Sequence, residues 1–318
     1  MTTQTMQVAA IRPLTDRIAE FELKAAGGEA LPDWQPGAHI RVSLPDGGDR
    51  AYSLIAFDAA RGSQPACRVA VQLEPEGEGG SRFMHGLKTG DELAVTPPKC
   101  DFPLAADTPV VLLAGGIGIT PMISMAAELA AKGTEFALHY AGRSRGVMAY
   151  ADRLADRFGD ALHLHCDDEP ENALDLDALV KQLGADRHLY ICGPRGMIDA
   201  ARAAAEKAGI AAERIHVELF DNASSAQDGD APFEVEVAST GDVFTIPPGR
   251  TIIDVLEEGG VDLMYDCQRG DCGICQTDVI SGTPDHRDVV LSEAEREAGK
   301  VIQICVSRAK SARLVLDL

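Results

Sequence analysis

The chain has 318 residues, 45% of them hydrophobic and 25% charged, with a formal net charge of −21. These are the proportions of a globular protein of two or three domains, and the acidity argues against a nucleic-acid or anionic-membrane partner and for solubility or steering toward a basic one. No apolar run reaches the ~18 residues of a membrane helix, and Met1-Thr2-Thr3-Gln4-Thr5 lacks both regions of a secretory signal, so a cytoplasmic protein is expected.

From Met6 to Val95 the apolar residues come in short alternating runs, Val8 to Ile11, Ile18 to Leu23, His39 to Leu44, Ala51 to Ile55 and Arg68 to Leu73, separated by Pro, Gly and Asp. That pattern predicts an antiparallel β domain, a small barrel. Within it Arg50-Ala51-Tyr52-Ser53 puts Arg50 and Tyr52 on one face of a strand and Ser53 on the other or on a bend. Further on, Gly79-Gly80-Ser81 precedes a short helical pattern, with Ser81 able to cap it and free N–H groups suited to a phosphate. An ordinary strand and an ordinary capped turn fit these two stretches as well.

Near Asp107 the pattern changes to strands alternating with helices: strands at 110–114, 136–140, 161–165 and 188–192, helices at 121–131, 174–182 and 194–207. A βαβ domain with a parallel sheet follows. Its first turn, Ala114-Gly115-Gly116-Ile117-Gly118-Ile119-Thr120-Pro121, leaves an apolar strand and opens a helix, the setting of a dinucleotide turn. Pro121 stands where a third glycine would be, so Thr120 is expected as N-cap and Pro121 as the first helical residue. A second glycine turn, Cys192-Gly193-Pro194, ends a later strand at the same sheet edge, where such sheets bind ligands.

Residues 221–230 are small, polar and without periodicity, which predicts a linker. Beyond it, alternating strands at 233–237 and 243–246 and a capping-box start at Thr251-Ile252-Ile253-Asp254 suit a β-grasp domain. Cys267, Cys272 and Cys275, answered by Cys305, have the C-x4-C-x2-C…C spacing that holds a [2Fe-2S] cluster, with Gly270 and Gly273 allowing the loop to close around it. Structural zinc usually takes two C-x2-C pairs, and a zinc protein would lack visible colour. The remaining cysteines, Cys67, Cys100, Cys166 and Cys192, read as small buried hydrophobes, and His286 as a solvated loop residue. Residues 231–318 hold 16 acidic against 8 basic residues, a field to which Asp266 and Asp271 beside the cluster contribute and which would steer a redox partner.

The three motifs in this order, R-x-Y-S, G-G-I-G-I-T-P with C-G-P, and C-x4-C-x2-C…C, resemble the phthalate dioxygenase reductase family over nearly the whole chain. Within that family the closing Ser311 to Leu318 is most similar to the vanillate O-demethylase reductases. The resemblance implies an FMN-binding barrel of ferredoxin-reductase type (1–105), an NADH-binding α/β domain (106–222), a linker (223–230) and a plant-type ferredoxin domain (231–318). It further implies that Arg50, Tyr52 and Ser53 contact FMN, that Gly80 and Ser81 hold its phosphate, and that Gly116, Gly118 and Thr120 lie under the NADH pyrophosphate. By the same resemblance Cys192, Gly193 and Pro194 line the nicotinamide pocket, while Phe220 covers the flavin where nicotinamide enters. Ser53, Cys192 and Phe220 would then flank the hydride path. Relatives often carry Arg where this chain has Glu78, so either Arg82 takes over or Glu78 points away. The implied function is an NADH-dependent reductase that passes single electrons through FMN and [2Fe-2S] to a terminal Rieske-type oxygenase acting on an aromatic acid; the alternative is a redox-sensing flavin and iron-sulfur module.

Overall fold

The computed structural model describes residues 3–27, 31–45, 47–59, 66–75, 77, 79–105, 107–220 and 229–318. Glu78 and residues 221–228 of the expected linker lie outside this set. The chain divides into two units, Met1–Glu218 and Leu219–Leu318.

The first unit opens with strands β1 (Gln4–Pro13), β2 (Ile18–Ala25), β3 (Ala38–Ser43), β4 (Asp49–Ser53) and β5 (Ala66–Gln72), helix α1 (Gly80–Gly86), and strands β6 (Glu92–Val95) and β7 (Lys99–Cys100). They form one antiparallel sheet in the order β4-β3-β6-β1-β2-β5, with β7 on β3. The Ile55 N–H donating to the Arg68 carbonyl (2.9 Å) ties the two edges into a barrel. Alternation does what the sequence requires of it: Met6, Val8, Phe21, Leu23, Ile40, Val42, Val69 and Val71 share one buried core.

Strand β8 (Val110–Gly115), helix α2 (Ile119–Lys132), β9 (Phe136–Gly142), α3 (Ala151–Phe158), β10 (Leu162–Cys166), α4 (Leu176–Lys181), β11 (His188–Cys192), α5 (Arg195–Lys207) and β12 (Ile215–Glu218) follow. The five strands are parallel in the order β10-β9-β8-β11-β12, and β8, at the centre, is buried along its whole length. Barrel and α/β elements share a core in which Ile18, Ile55, Phe57 and Phe102 meet Met122, Ile123, Tyr150 and Tyr190. Polar pins reinforce it. The Ser124 hydroxyl donates to the Leu54 carbonyl (2.8 Å) and accepts from the Ala56 N–H (2.9 Å), and the Tyr150 hydroxyl donates to buried Glu20 (2.8 Å).

The second unit holds β13 (Phe233–Val237), β14 (Val243–Ile246), α6 (Ile252–Glu258), β15 (Gln276–Ser281), β16 (Pro284–Asp285), α7 (Glu293–Ala298), β17 (Val301–Gln303), β18 (Arg308–Ala309) and β19 (Arg313–Leu316). The sheet order is β14-β13-β19-β15-β17, with β13 and β19 parallel and the other pairs antiparallel, a β-grasp. Thr251 and Asp254 make the expected capping box. Asp230, expected in a free linker, is instead buried between Arg287 (2.5 Å) and Arg308 (3.7 Å), so the chain is pinned before β13 begins.

Several local expectations are revised. Helices α3 and α7 and strand β12 are not expected from the sequence: α3 has eight residues and α7 six, and α7 buries none of its residues. Helix α2 starts with Gly118 at the N-cap, out of a 3-10 turn over Gly116–Gly118, so Thr120 is already helical and its hydroxyl donates back to the Ile117 carbonyl (3.1 Å). Helix α1 likewise has Gly79 as N-cap. The Ser81 hydroxyl is taken by the backbone of Glu74, whose N–H donates to it at 3.0 Å. His286 is not solvated: its side chain is only 8% exposed, with Nδ1 3.9 Å from the fully buried Asp288.

Candidate redox site

Four thiols dominate the second unit. The loop between α6 and β15 presents Cys267, Cys272 and Cys275, and the turn after β17 presents Cys305; the four thiols act on one another's titration, Cys267 with Cys272 and Cys305, and Cys305 with Cys275. The thiols of Cys272 and Cys305 beside it favour the thiolate of Cys267 and push its pKa far down, the reverse of an isolated buried cysteine. Gln268 (φ 55°), Gly270 (φ 82°) and Gly273 (φ 78°) take left-handed backbone, and the Arg269 N–H points at the Cys267 sulfur (3.3 Å). A donor set of four converging thiols, wrapped by a loop with N–H groups turned inward, fits a [2Fe-2S] cluster. All eight cysteines are free, and Cys67, Cys166 and Cys192 are buried as expected while Cys100 is half-buried.

Asp271 departs from expectation. Its side chain is 5% exposed and paired with the equally buried Arg269 (3.2 Å), and it also accepts from the Leu219 N–H (3.1 Å). Burial raises its pKa to about 7 in spite of Arg269. Asp271 is therefore an internal brace of the loop, and only Asp266 of the two carboxylates faces solvent.

In the first unit the sheet order sets strand β8 against β11, the point where the chain reverses its direction of growth and where parallel sheets open a ligand crevice. Both predicted glycine turns meet there. A Cβ on Gly118 would lie 2.2 Å from the Cys192 carbonyl oxygen, and one on Gly193 would lie 2.9 Å from the Cα of Gly115. Gly116 (φ 54°) faces open space instead. Gly118 thus serves close packing of the two turns, and Gly116 is the position a pyrophosphate can approach.

Sequence reasoning missed Glu218, the buried last residue of β12, which pairs in register with Cys192 at the same edge. The only signal for it was a carboxylate closing an apolar strand. Phe220, the second residue of the second unit, is 41% exposed. On the barrel, Arg50 and Tyr52 are half-buried and Ser53 buried, and a Cβ on Gly80 would lie 2.5 Å from Arg50 Cγ and 3.2 Å from the Tyr52 hydroxyl. The predicted phosphate residues are thereby one cluster, bare of side chain where Gly80 meets them. Burial raises the Tyr52 phenol to about 12, with Arg50 opposing, so it stays a hydrogen-bond donor. The Arg82 guanidinium donates to the Pro75 carbonyl.

Comparison with known proteins assigns two regions of the chain to families. Residues 112–203 match an oxidoreductase NAD-binding domain and residues 235–310 a 2Fe-2S iron-sulfur cluster binding domain. The solved structure of phthalate dioxygenase reductase, described as modular for electron transfer from pyridine nucleotides to [2Fe-2S], is 35% identical over 99% of this chain and 98% of its own, with a TM-score of 0.70. The chain belongs to that reductase family. Tetrachlorobenzoquinone reductase of Sphingobium chlorophenolicum is 40% identical over 100% of this chain and 99% of its own, and vanillate O-demethylase oxidoreductase of Pseudomonas sp. HR199 is 38% identical over 98% of each. The protein is a reductase of oxygenase systems with FMN, NADH and [2Fe-2S] as its redox groups, working with an oxygenase partner. Among the described residues no helix is long and apolar enough to cross a membrane.

Proposed function

We propose that this reductase delivers single electrons to a Rieske-type terminal oxygenase that acts on an aromatic acid, in the manner of the vanillate O-demethylase reductases. The carrying observation is that one chain holds both a nicotinamide-type sheet edge and a four-thiol loop, which requires a carrier able to accept a hydride and release electrons singly. Flavin supplies that chemistry when bound. The chain's residues divide the work as follows. Arg50, Tyr52, Ser53, Gly80 and the backbone of Ser81 hold FMN on the barrel, with Arg50 at the phosphate. Gly116 admits the NADH pyrophosphate, Gly118 and Thr120 shape the turn beneath it, and Cys192, Gly193 and Pro194 with Glu218 line the nicotinamide pocket. Phe220 covers the flavin until nicotinamide enters, and Cys267, Cys272, Cys275 and Cys305 hold the cluster. The functional domains are residues 1–105, 106–222 and 231–318, with 223–230 between them.

Purified protein is expected to contain about one FMN and about two irons per chain and to reduce cytochrome c and ferricyanide with NADH over many turnovers. Reduction that stops after a single equivalent with abundant acceptor would remove the reading, and zinc in place of iron would remove the cluster assignment.

A further inference from the structure

The loop around the thiols is unevenly covered. Cys267, Cys275 and Cys305 are buried, whereas Cys272 is half-buried and is the outermost ligand. Ile274, between two ligands, is 45% exposed, and Met264, three residues before Cys267, is 79% exposed. Isolated exposed apolar side chains are ordinary, but these two flank the ligand cysteines along the segment that carries the redox centre, where an electron acceptor has to come close. The charge along this stretch of chain has nearly one sign. From Thr251 to Asp285 there are eight carboxylates and one cation, Arg269, and that cation is buried on Asp271. Asp262 and Asp266, on the same segment, are exposed.

We propose that the outgoing electron leaves past Cys272 to a redox protein docked on Met264 and Ile274, whose lysine or arginine rim meets Asp262 and Asp266. The inference rests on the reductase reading above and assigns it a face. One electron would pass per encounter, from a cluster held by Cys267, Cys272, Cys275 and Cys305 to the acceptor's metal, with no proton or group transferred. A small apolar contact framed by charge suits such an encounter, because the carboxylates speed approach while the limited area lets the partner leave.

The test uses the holoprotein with saturating NADH, cytochrome c as a basic protein acceptor, and ferricyanide as a small acceptor that needs no docking. Ile274→Ser, Met264→Ser and the double variant are expected to lower kcat/KM for cytochrome c by roughly 5–10-fold, mainly through KM. Ferricyanide turnover, iron content and the visible spectrum should not change. The loss should persist at ~300 mM salt, whereas the loss from Asp266→Lys should fade there. Val243→Ser, on edge strand β14 and as exposed as Ile274, should change nothing. If Ile274→Ser disturbs iron content, Met264→Ser alone carries the test. A double variant within twofold of the parent toward cytochrome c, or an equal loss from Val243→Ser, overturns the docking face. Absence of NADH–ferricyanide turnover in the parent would instead remove the reductase reading, and the face with it.

Discussion

Replacing Gly118 by Ala tests how the nicotinamide edge is built. The added Cβ would sit 2.2 Å from the Cys192 carbonyl oxygen, 2.4 Å from its carbon and 2.8 Å from the Gly193 nitrogen. Ordinary contact begins near ~3.5 Å, so the two turns must part by about 1 Å. Backbone lies on both sides, so no side chain can swing away, and the cost falls at the upper end of overpacking, about 3 kcal/mol. For a unit of this size that lowers the melting midpoint by about 6–12 °C. Because the parted turns carry Gly116 on one side and Cys192 on the other, flavin reduction by NADH should slow by at least about tenfold. Gly116→Ala is the counterpart. Its Cβ meets nothing, and the left-handed backbone costs only about 1–2 kcal/mol. Its methyl enters the space assigned to the pyrophosphate, so KM for NADH should rise with a smaller loss of stability. Calorimetry and stopped-flow reduction of the flavin read both effects. A Gly118→Ala protein that melts within ~2 °C of the parent and is reduced at the parental rate would refute the packing argument.

Cys272→Ser should abolish electron transfer to cytochrome c and leave flavin reduction by NADH intact; full iron content with normal transfer would contradict the cluster assignment. NADH should be preferred to NADPH by at least about tenfold in kcat/KM, roughly 1.4 kcal/mol, because Asp167 and Asp168 are exposed and their N–H groups bond to the carbonyls of Gly142 and Arg143, fixing the acidic turn at the sheet edge; equal efficiencies would count against it. Burial lowers the pKa of His139 and of His216 to about 4, below the ~6.5 of the unfolded chain. His139 bonds to His165 (2.9 Å) and Gln182 (3.2 Å), and His216 to His188 (2.8 Å). The unfolded chain takes up the protons first, so the stability that depends on neutral rings is complete above pH ~6.5 and is lost as pH falls toward ~4, on the order of 2 kcal/mol for the buried His139 and less for His216, whose partial exposure lets solvent screen the effect. Urea midpoints should drop over that range less steeply in His139→Gln than in the parent; parallel curves would show that the ring does not titrate with folding.

The sequence determined most where the constraint is local. A cluster loop must supply three thiolates within ten residues, so its spacing is written in the chain, and the left-handed glycines at 270 and 273 follow from the same closure. Period-two alternation specified the barrel, and the shift to strand and helix repeats specified the parallel sheet. What tertiary structure alone decided is which residues became neighbours. Gly118 lies against Cys192 because strands β8 and β11 are adjacent in the sheet, although 74 positions separate the two residues in the chain. Glu218 joins them only because β12 is the next strand over. Burial was also invisible: Asp271 and His286 sit in stretches as polar as any surface loop, yet both side chains are covered, Asp271 with the Leu219 N–H from 52 residues away bonded to it. A side chain's exposure depends on its non-local contacts, and local pattern carries no record of those.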